Sequence, residues 1–345
     1  MRRTGPVLRV GRFLALPLHA RALLWGGIYL LLLAALAALT LTVGGMGIPL
    51  ARIPAVLAGG GEATEAFVLE RLRGPRLAVA ACTGAALGVA GALFQTVTRN
   101  PLGSPDVIGL GAGAGAGAAV AALLLPGVLP VPLGALGGAA LAMAVVALAT
   151  GTGLRHPRRL IVAGIGVAAM AQAFTQYVIA ALGRDEASLL ASYLYGSLNA
   201  RSWEHAATIA AVLVLAVPCA TALSGRIAVN EMGDELADGL GASAAATRVG
   251  AIALSVVLSA AAVGVAGPIA FVSLTAPQIA RRTTGVPGPN LAVSALVGAL
   301  LLAAADLAVQ RFPAADGLPV GIVTMALGGV YLGCLLIREW RRGVL

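Results

Sequence analysis

The sequence contains no lysine and few charged residues of any kind. All 23 basic residues are arginine, and charged residues make up 11% of the 345 residues. A nucleotide-binding P-loop needs the lysine of its Gly-x-x-x-x-Gly-Lys-Ser/Thr motif, so this chain cannot carry one. If it does work across a membrane, the energy must come from a partner subunit or from an ion gradient.

Cysteine and histidine are equally scarce, and neither forms a recognisable site. The three cysteines lie in separate apolar segments and the three histidines are isolated, at positions Cys82, Cys219, Cys334, His19, His156 and His205. These spacings support neither a disulfide framework nor a metal site. Because the sequence also lacks a His-Glu-x-x-His motif, we expect the chain not to be an enzyme and to bind no cofactor of its own.

Apolar residues, by contrast, make up 59% of the chain. Soluble domains carry about a quarter charged residues, so this composition indicates a polytopic membrane protein. The apolar runs predict an all-α fold with about ten transmembrane helices. They fall near residues 22–43, 76–94, 107–125, 131–152, 159–182, 204–223, 248–264, 266–283, 290–309 and 318–337. The run at 266–283 is the least regular, because Pro268 and Pro277 interrupt it.

The arginine distribution predicts the orientation of these helices. With both termini in the cytoplasm, the cytoplasmic segments hold 16 arginines and the outer segments hold seven, in agreement with the positive-inside rule. We therefore predict a basic cytoplasmic leader at 1–21 and a single transmembrane domain at 22–345. The net charge of +9 follows from this topology and indicates no nucleic-acid partner, since the arginines lie between apolar runs rather than in one patch.

The helices at 76–94 and 107–125 meet at a polar hinge over residues 99–106. Pro101 and Pro105 cannot continue a helix, since proline lacks an N–H and disfavours the α conformation in the residue before it. A break of this kind lies at the bilayer surface or lines a protein cavity. Two interpretations remain open, a static turn and the inner gate of a transport pathway. The candidate gate residues are Gln95, Asn100, Pro101 and Leu102.

This region resembles the FecCD family of ABC-importer permeases, which take up iron-siderophore complexes, haem and vitamin B12. The matching residues are Gly84, Leu87, Gly91, Gln95, Asn100, Pro101, Leu102, Pro105 and Gly109. Segments at 267–272, 276–281 and 318–322 also follow the family pattern. The departures from it, which leave the substrate subclass open, are at Ser273, Gln278, Gly317 and Gly329. The resemblance runs from about residue 71 to the C-terminus and implies a vitamin-B12-importer-like permease fold.

A polar segment at about 225–248 separates the two halves of the chain. Its Met-Gly…Ala…Leu-Gly pattern at 232–241 resembles the coupling segment of the family, which rests in a groove of the ATPase subunit and transmits its closure. The candidate coupling residues are Gly233, Asp234, Glu235, Ala237, Leu240 and Gly241. A solvated loop is the alternative interpretation.

Arg73 and Arg76 lie at the outer mouth of the second span, where the positive-inside rule makes arginine unexpected. Three roles are open for them. They could anchor the helix at the membrane interface with their stems along apolar surface, or pair with Glu65 or Glu70. In the family, the corresponding arginines meet glutamates of the substrate-binding protein, so the resemblance implies a docking role. Arg311 would join them, one position beyond the arginine of the family.

The resemblance implies the permease subunit of an ABC importer for iron chelates. Ferric siderophores are the expected substrates, and haem and cobalamin are alternatives within the family. The implied partners are two ATPase subunits that bind ATP and Mg, an extracytoplasmic substrate-binding protein, a second permease protomer (identical or a sister chain) and the lipid of a bacterial cytoplasmic membrane. The alternative from another class is a gradient-driven secondary transporter. It would need titratable residues buried in the spans, for which Asp306 and Asp106 are the candidates.

Overall fold

The computed structural model describes residues 7–10, 14–17, 19–151, 157–181, 194–312 and 317–341. In these ranges, ten helices have 13 residues or more. They are α1 (Ala20–Thr42), α4 (Gly74–Thr98), α5 (Leu110–Leu124), α6 (Val131–Thr150), α7 (Pro157–Ala181), α8 (Trp203–Asn230), α10 (Ala244–Ala266), α11 (Val272–Thr284), α12 (Leu291–Arg311) and α13 (Val320–Arg341). The short helices are α2 (Ile53–Leu57), α3 (Ala63–Phe67) and α9 (Asp234–Gly239).

The ten longer helices lie where the apolar runs predict them, which confirms an all-α polytopic fold. Seven of them are long and apolar enough to cross a membrane, namely α1, α4, α6, α7, α8, α10 and α12. The apolar stretches of α5 and α13 are shorter. Helix α11, with its 13 residues, rises only about 20 Å, which is less than the ~30 Å hydrocarbon core.

Helix α11 begins later than the apolar run predicts. Residues 267–271 are not helical, and Gly267 and Phe271 have positive φ angles of 75° and 68°. Pro268 cannot donate a helical hydrogen bond, so the chain turns back through an irregular segment before α11 begins at Val272. The prediction of a helix from residue 266 was therefore wrong at its start.

Part of the predicted leader forms a short β-hairpin. Strand β1 (Val7–Val10) pairs antiparallel with β2 (Leu14–Pro17), and Val7 lies opposite Pro17. The basic and apolar pattern of this segment did not indicate strands. Residues 1–6, 11–13 and 18 of the leader lie outside the described residues, as do residues 152–156 between α6 and α7.

Helix α4 is the centre of the bundle. It packs against α8, α10, α11 and α12, and its side chains Leu87, Leu93 and Phe94 are fully buried. The approach to α12 depends on glycine, because a Cβ atom at Gly84 would lie 2.3 Å from the carbonyl oxygen of Gly298. Small residues of this kind let transmembrane backbones pack closely. Helices α5, α6 and α7 pack on one another as a second group.

The direction of α4 defines the two ends of the bundle. The helix begins at the arginine end, which carries Arg73 and Arg76, and finishes at the hinge end, where Thr98 leads into residues 99–106. Helix α12 runs antiparallel to it, since Asp306 near its C-terminus contacts Arg76. The predicted docking and gating residues therefore lie at opposite ends of the same helix.

Candidate functional site

The hinge begins with a defined helix cap. Arg99 has a left-handed conformation (φ 50°, ψ 33°), and the N–H groups of Arg99 and Asn100 donate to the carbonyls of Thr96 and Gln95. This pair of bonds is the Schellman motif, which usually has glycine at the left-handed position. The side chain of Asn100 then accepts from the N–H of Leu102 at 2.9 Å, as asparagine does in tight turns. The turn is therefore built by its own residues.

Two buried glutamines hold the hinge against α11. Gln278 Nε2 donates to Gln95 Oε1 at 2.8 Å and to the carbonyl oxygen of Pro101 at 2.9 Å. Gln95, which is 1% exposed, donates in turn to the carbonyl oxygen of Leu274 at 2.9 Å. Each bond satisfies a polar group that burial would otherwise leave costly. The structure thus brings Gln95 and Pro101 together with Gln278, which the sequence marked only as a departure from the family pattern.

A large cavity lies between α5 and α7. Its volume is about 820 Å³, and its polar lining comes from Gln172, Thr175, Gln176 and Tyr195. The residues assigned to this lining carry no charge. Gln172 and Gln176 were not singled out from the sequence, although a signal was there. Two amides four residues apart in an otherwise apolar helix lie on one face, and polar residues in a span usually face a cavity.

The predicted coupling segment contains the short helix α9 and presents an apolar stripe. Met232, Leu236 and Leu240 recur at intervals of four residues and are all exposed, Leu240 at 64%. Ala237, which the family pattern grouped with Leu240, is fully buried instead. It faces the bundle, so it contributes to the packing of α9 rather than to the exposed stripe.

Asp234, the first residue of α9, joins three segments. Its carboxylate accepts from Nη2 of Arg248 on α10 at 2.9 Å and from Nη2 of Arg99 in the hinge at 2.7 Å. The hydrogen bond from Arg248 holds the pKa of Asp234 below its usual range against the opposing effect of burial, and the charge of Arg99 adds to it. The carboxylate is therefore ionised at neutral pH. Arg99 also donates to the carbonyl oxygen of Asn230 at the end of α8.

The three arginines predicted for docking line one cavity at the arginine end. Its volume is about 350 Å³, and Asn199 and Gln310 also line it. Arg73 and Arg76 both bind inside the chain, but neither pairs with Glu65 or Glu70. Arg73 donates to the carbonyl oxygens of Thr40, Leu41 and Val43, and Arg311 donates to that of Val43 as well.

Arg76 forms a charge pair with Asp306. Its Nη2 and Nε donate to Asp306 Oδ1 at 2.7 and 2.9 Å, and Nη1 donates to Asn199 Oδ1 at 2.7 Å. The side chains of Arg76 and Asp306 are 19% and 3% exposed. Asp306 also accepts from Gln310 at 2.7 Å, so its oxygens are well satisfied. The pair therefore fastens α4 to α12 beneath the cavity.

The described residues include no group of three or more His, Cys, Asp or Glu side chains that could hold a metal ion. The polar features of the bundle are instead a cavity, a hinge held by hydrogen bonds from two glutamines, and charge pairs at both ends. This arrangement is suited to moving a solute.

The chain is similar to transport permeases over most of its length. The sequence model of the FecCD transport family matches residues 30–338. The ferric enterobactin transport system permease protein FepG of Escherichia coli (strain K12) is 39% identical over 301 residues, which cover 87% of this chain and 91% of that protein. The Fe(3+)-citrate import system permease protein YfmE of Bacillus subtilis (strain 168) is 35% identical over 279 residues, with 80% and 84% covered.

The fold also matches a solved structure, described as a metal-chelate type ABC transporter in an inward-facing conformation. The TM-score is 0.80 at 24% identity, and the match covers 91% of this chain and 98% of the other. The family description and the two relatives confirm the resemblance seen in the sequence, and they identify a transport permease rather than an enzyme. By its motifs, its helical fold and these relatives, the protein belongs to the FecCD transport family.

Proposed function

We propose that this protein is the membrane-spanning subunit of an ATP-driven ABC importer that carries ferric siderophores into the cytoplasm. The observation that carries the proposal is the exposed stripe of Met232, Leu236 and Leu240. It lies beside the hinge, to which α9 is joined by the contact between Asp234 and Arg99. An ATPase that binds this stripe lies next to the gate that it must operate. Relatives named for ferric enterobactin and Fe(3+)-citrate support an iron chelate as substrate, with haem and cobalamin as the alternatives.

The proposal places the hinge end in the cytoplasm of a bacterial cell, with both termini on that side of the cytoplasmic membrane. Arginines at this end support the orientation, since Arg99, Arg248, Arg281 and Arg282 all lie near it. Membership of the family supports an ATPase partner, a substrate-binding partner and a paired permease. In the proposed complex, two ATPase subunits bind ATP and Mg, and this chain binds neither.

The pathway in this proposal runs along the cavity between α5 and α7. Its lining amides and the Tyr195 hydroxyl can exchange hydrogen bonds with a passing chelate. Since the described residues that line this cavity carry no charge, no ion pair would trap the substrate there. The hinge residues Asn100, Pro101 and Leu102 then form the inner gate, which the amide bonds from Gln278 hold in one position.

The arginine end is the proposed docking surface for the substrate-binding protein. Arg73, Arg76 and Arg311 line its cavity together, and a partner carrying carboxylates would be oriented by their positive charge. The internal bonds of Arg73 and Arg76 hold their guanidinium groups in place for such a partner. Gradient-driven transport is less well supported, because Asp306 already pairs with Arg76 at one end of the bundle and Asp106, the other candidate, already accepts a hydrogen bond from Ser273.

The coupling role is tested by placing charge on the exposed stripe. We expect the Leu236→Glu/Leu240→Glu double variant to lose uptake at least about tenfold, since burying two carboxylates in an apolar groove would remove ~1.4 kcal/mol or more of ATPase binding. The measurements are co-purification of the ATPase with the permease and uptake of iron-labelled ferric enterobactin by proteoliposomes of the full complex.

Leu57→Glu provides the matched control for this test. Leu57 lies at the opposite end of the bundle and is 65% exposed, almost the same as Leu240. The ATPase should co-purify with the Leu57→Glu variant as it does with the wild type. Unchanged ATPase binding in the double variant would show that the stripe is not the coupling surface.

The gate is tested by cross-linking between protomers. In a chain whose native cysteines have been replaced, we expect Leu102→Cys to cross-link to the same residue of the second protomer in one nucleotide state and less in the other. The reason is that Leu102 lies at the exposed tip of the hinge. Leu133→Cys on α6, which is also exposed, should give the same yield in both states. A yield at Leu102 that is independent of nucleotide would support a static turn.

A further inference from the structure

The hinge is held from two sides, by contacts on adjacent parts of the same turn. From α11, Gln278 donates to the carbonyl oxygen of Pro101. On the other side, Asp234 of α9 accepts from the guanidinium group of Arg99, which lies two residues before Pro101 in the chain. A displacement of α9 relative to α11 would therefore act across residues 99–101, where the backbone is already outside the helical conformation.

The attachment of α9 to its neighbours is firm enough to transmit such a displacement. Ala237 is buried beneath α9, and Asp238 accepts from the N–H of Ala244 at 2.9 Å. Arg248 on α10 binds the second oxygen of Asp234 at 2.9 Å. The carboxylate that contacts the hinge is thus fixed to α9 and α10 by contacts that do not involve Arg99.

Arg99 itself is held in a conformation that a side chain does not favour. Its left-handed backbone (φ 50°) is one that residues other than glycine seldom adopt. Two hydrogen bonds hold the Arg99 side chain in place. Its guanidinium group donates to Asp234 and to the carbonyl oxygen of Asn230. Asn230 is the last residue of α8 and Asp234 is the first residue of α9, so neither partner lies on α4.

We propose that Arg99 and Asp234 are positioning residues that transmit movement of α9 to the inner gate. The inference rests on the proposed function, since it takes α9 as the site where the ATPase acts. Arg99 draws the turn toward the coupling segment, while Gln278 holds Pro101 on α11. When the ATPase moves α9, the Arg99–Asp234 contact makes the turn follow α9.

The test uses the full complex and the accessibility of the gate. In the background without native cysteines, Leu102→Cys is treated with a water-soluble maleimide in the nucleotide-free and the vanadate-trapped states. We expect the labelling rate to differ between the two states, and we expect Arg99→Gln to reduce that difference by about two- to fivefold, because the Arg99–Asp234 pair is partly exposed (46% and 45%) and such pairs are individually weak. ATPase co-purification and ATP hydrolysis should persist.

Four further variants separate transmission from simple stabilisation. Asp234→Asn should reduce the nucleotide response of Leu102→Cys as Arg99→Gln does, and the double variant should be no worse than either single one, because both changes break the same contact. Arg99→Lys keeps the charge and should restore part of the response. Arg248→Gln removes the other partner of Asp234 and keeps the contact with Arg99, so it should reduce the response less than Arg99→Gln does.

The outcomes distinguish this inference from the proposal beneath it. A labelling rate at Leu102 that does not depend on nucleotide, even with Arg99 present, would remove both the gate and the inference. A normal response in Arg99→Gln would overturn the inference alone. Effects of Arg99→Gln and Asp234→Asn that multiply in the double variant would also overturn it, since the two residues would then act separately. Loss of ATPase binding in Asp234→Asn would instead assign Asp234 to the surface that binds the ATPase and overturn the inference.

Discussion

The Gly91→Val variant should yield no correctly folded permease. A Cβ atom at Gly91 would lie 1.7 Å from the carbonyl oxygen of Ser273 and 2.6 Å from its carbonyl carbon. These are backbone atoms in the first turn of α11, and no side-chain rotation can move them away. Overpacking a well-packed interior typically costs about 1–3 kcal/mol, and here the clash requires α4 and α11 to separate.

The first turn of α11 has little freedom to retreat from Gly91. It follows the left-handed residue Phe271, and the hydroxyl of Ser273 donates to Asp106 at 2.9 Å. Moving α11 would also disturb the bonds from Gln278 to Gln95 and Pro101. We therefore expect a collapse of the hinge end rather than a local adjustment.

Size-exclusion chromatography of fluorescently tagged protein in mild detergent measures the outcome. Gly137→Val on α6 is the matched control, because the same substitution there meets no heavy atom within 4 Å of the added Cβ. The control should give a single symmetric peak, and Gly91→Val should give aggregate or no protein. A symmetric peak of normal yield for Gly91→Val would contradict the close contact between α4 and α11.

The positions of the helices could be predicted because they follow from composition alone. A run of apolar residues that is long enough to cross the bilayer must hydrogen-bond its own backbone, and a helix does so within one segment. The ten runs therefore coincide with ten helices. The exception at residues 267–271 arises where Pro268 and two left-handed residues interrupt the backbone, since hydropathy carries no information on backbone conformation.

The contacts within the candidate site depend on residues that are far apart in the chain. Arg76 and Asp306 are 230 residues apart, and Arg99 and Asp234 are 135 apart. The sequence placed Arg76 at a helix mouth and Asp306 in a span, but nothing in either segment specifies that they meet. Ala237 illustrates the same limit, because a motif gives the spacing of residues on α9 and not which of its faces is buried.

Loss of Arg76 should destabilise the permease far more than loss of an exposed arginine. Asp306 is 2% exposed, so the Arg76→Met variant leaves a buried carboxylate without its counter-charge. Breaking a buried pair in this way costs about 3–5 kcal/mol. Arg71→Met provides the control, since Arg71 lies at the same end of the bundle and is exposed, and a substitution at such a surface position usually changes stability by no more than about 0.5 kcal/mol.

The double variant Arg76→Met/Asp306→Leu separates a structural role from docking. Replacing both members of a buried pair by apolar residues is often close to neutral, so this variant should recover most of the stability that Arg76→Met loses. Unfolding in denaturing detergent measures the stability, and binding of the substrate-binding protein is measured on the same samples. If the pair is structural, the double variant should fold with nearly normal stability. If Arg76 also docks the substrate-binding protein, the double variant should still bind that protein weakly. A single variant as stable as the wild type would show that Asp306 does not depend on Arg76.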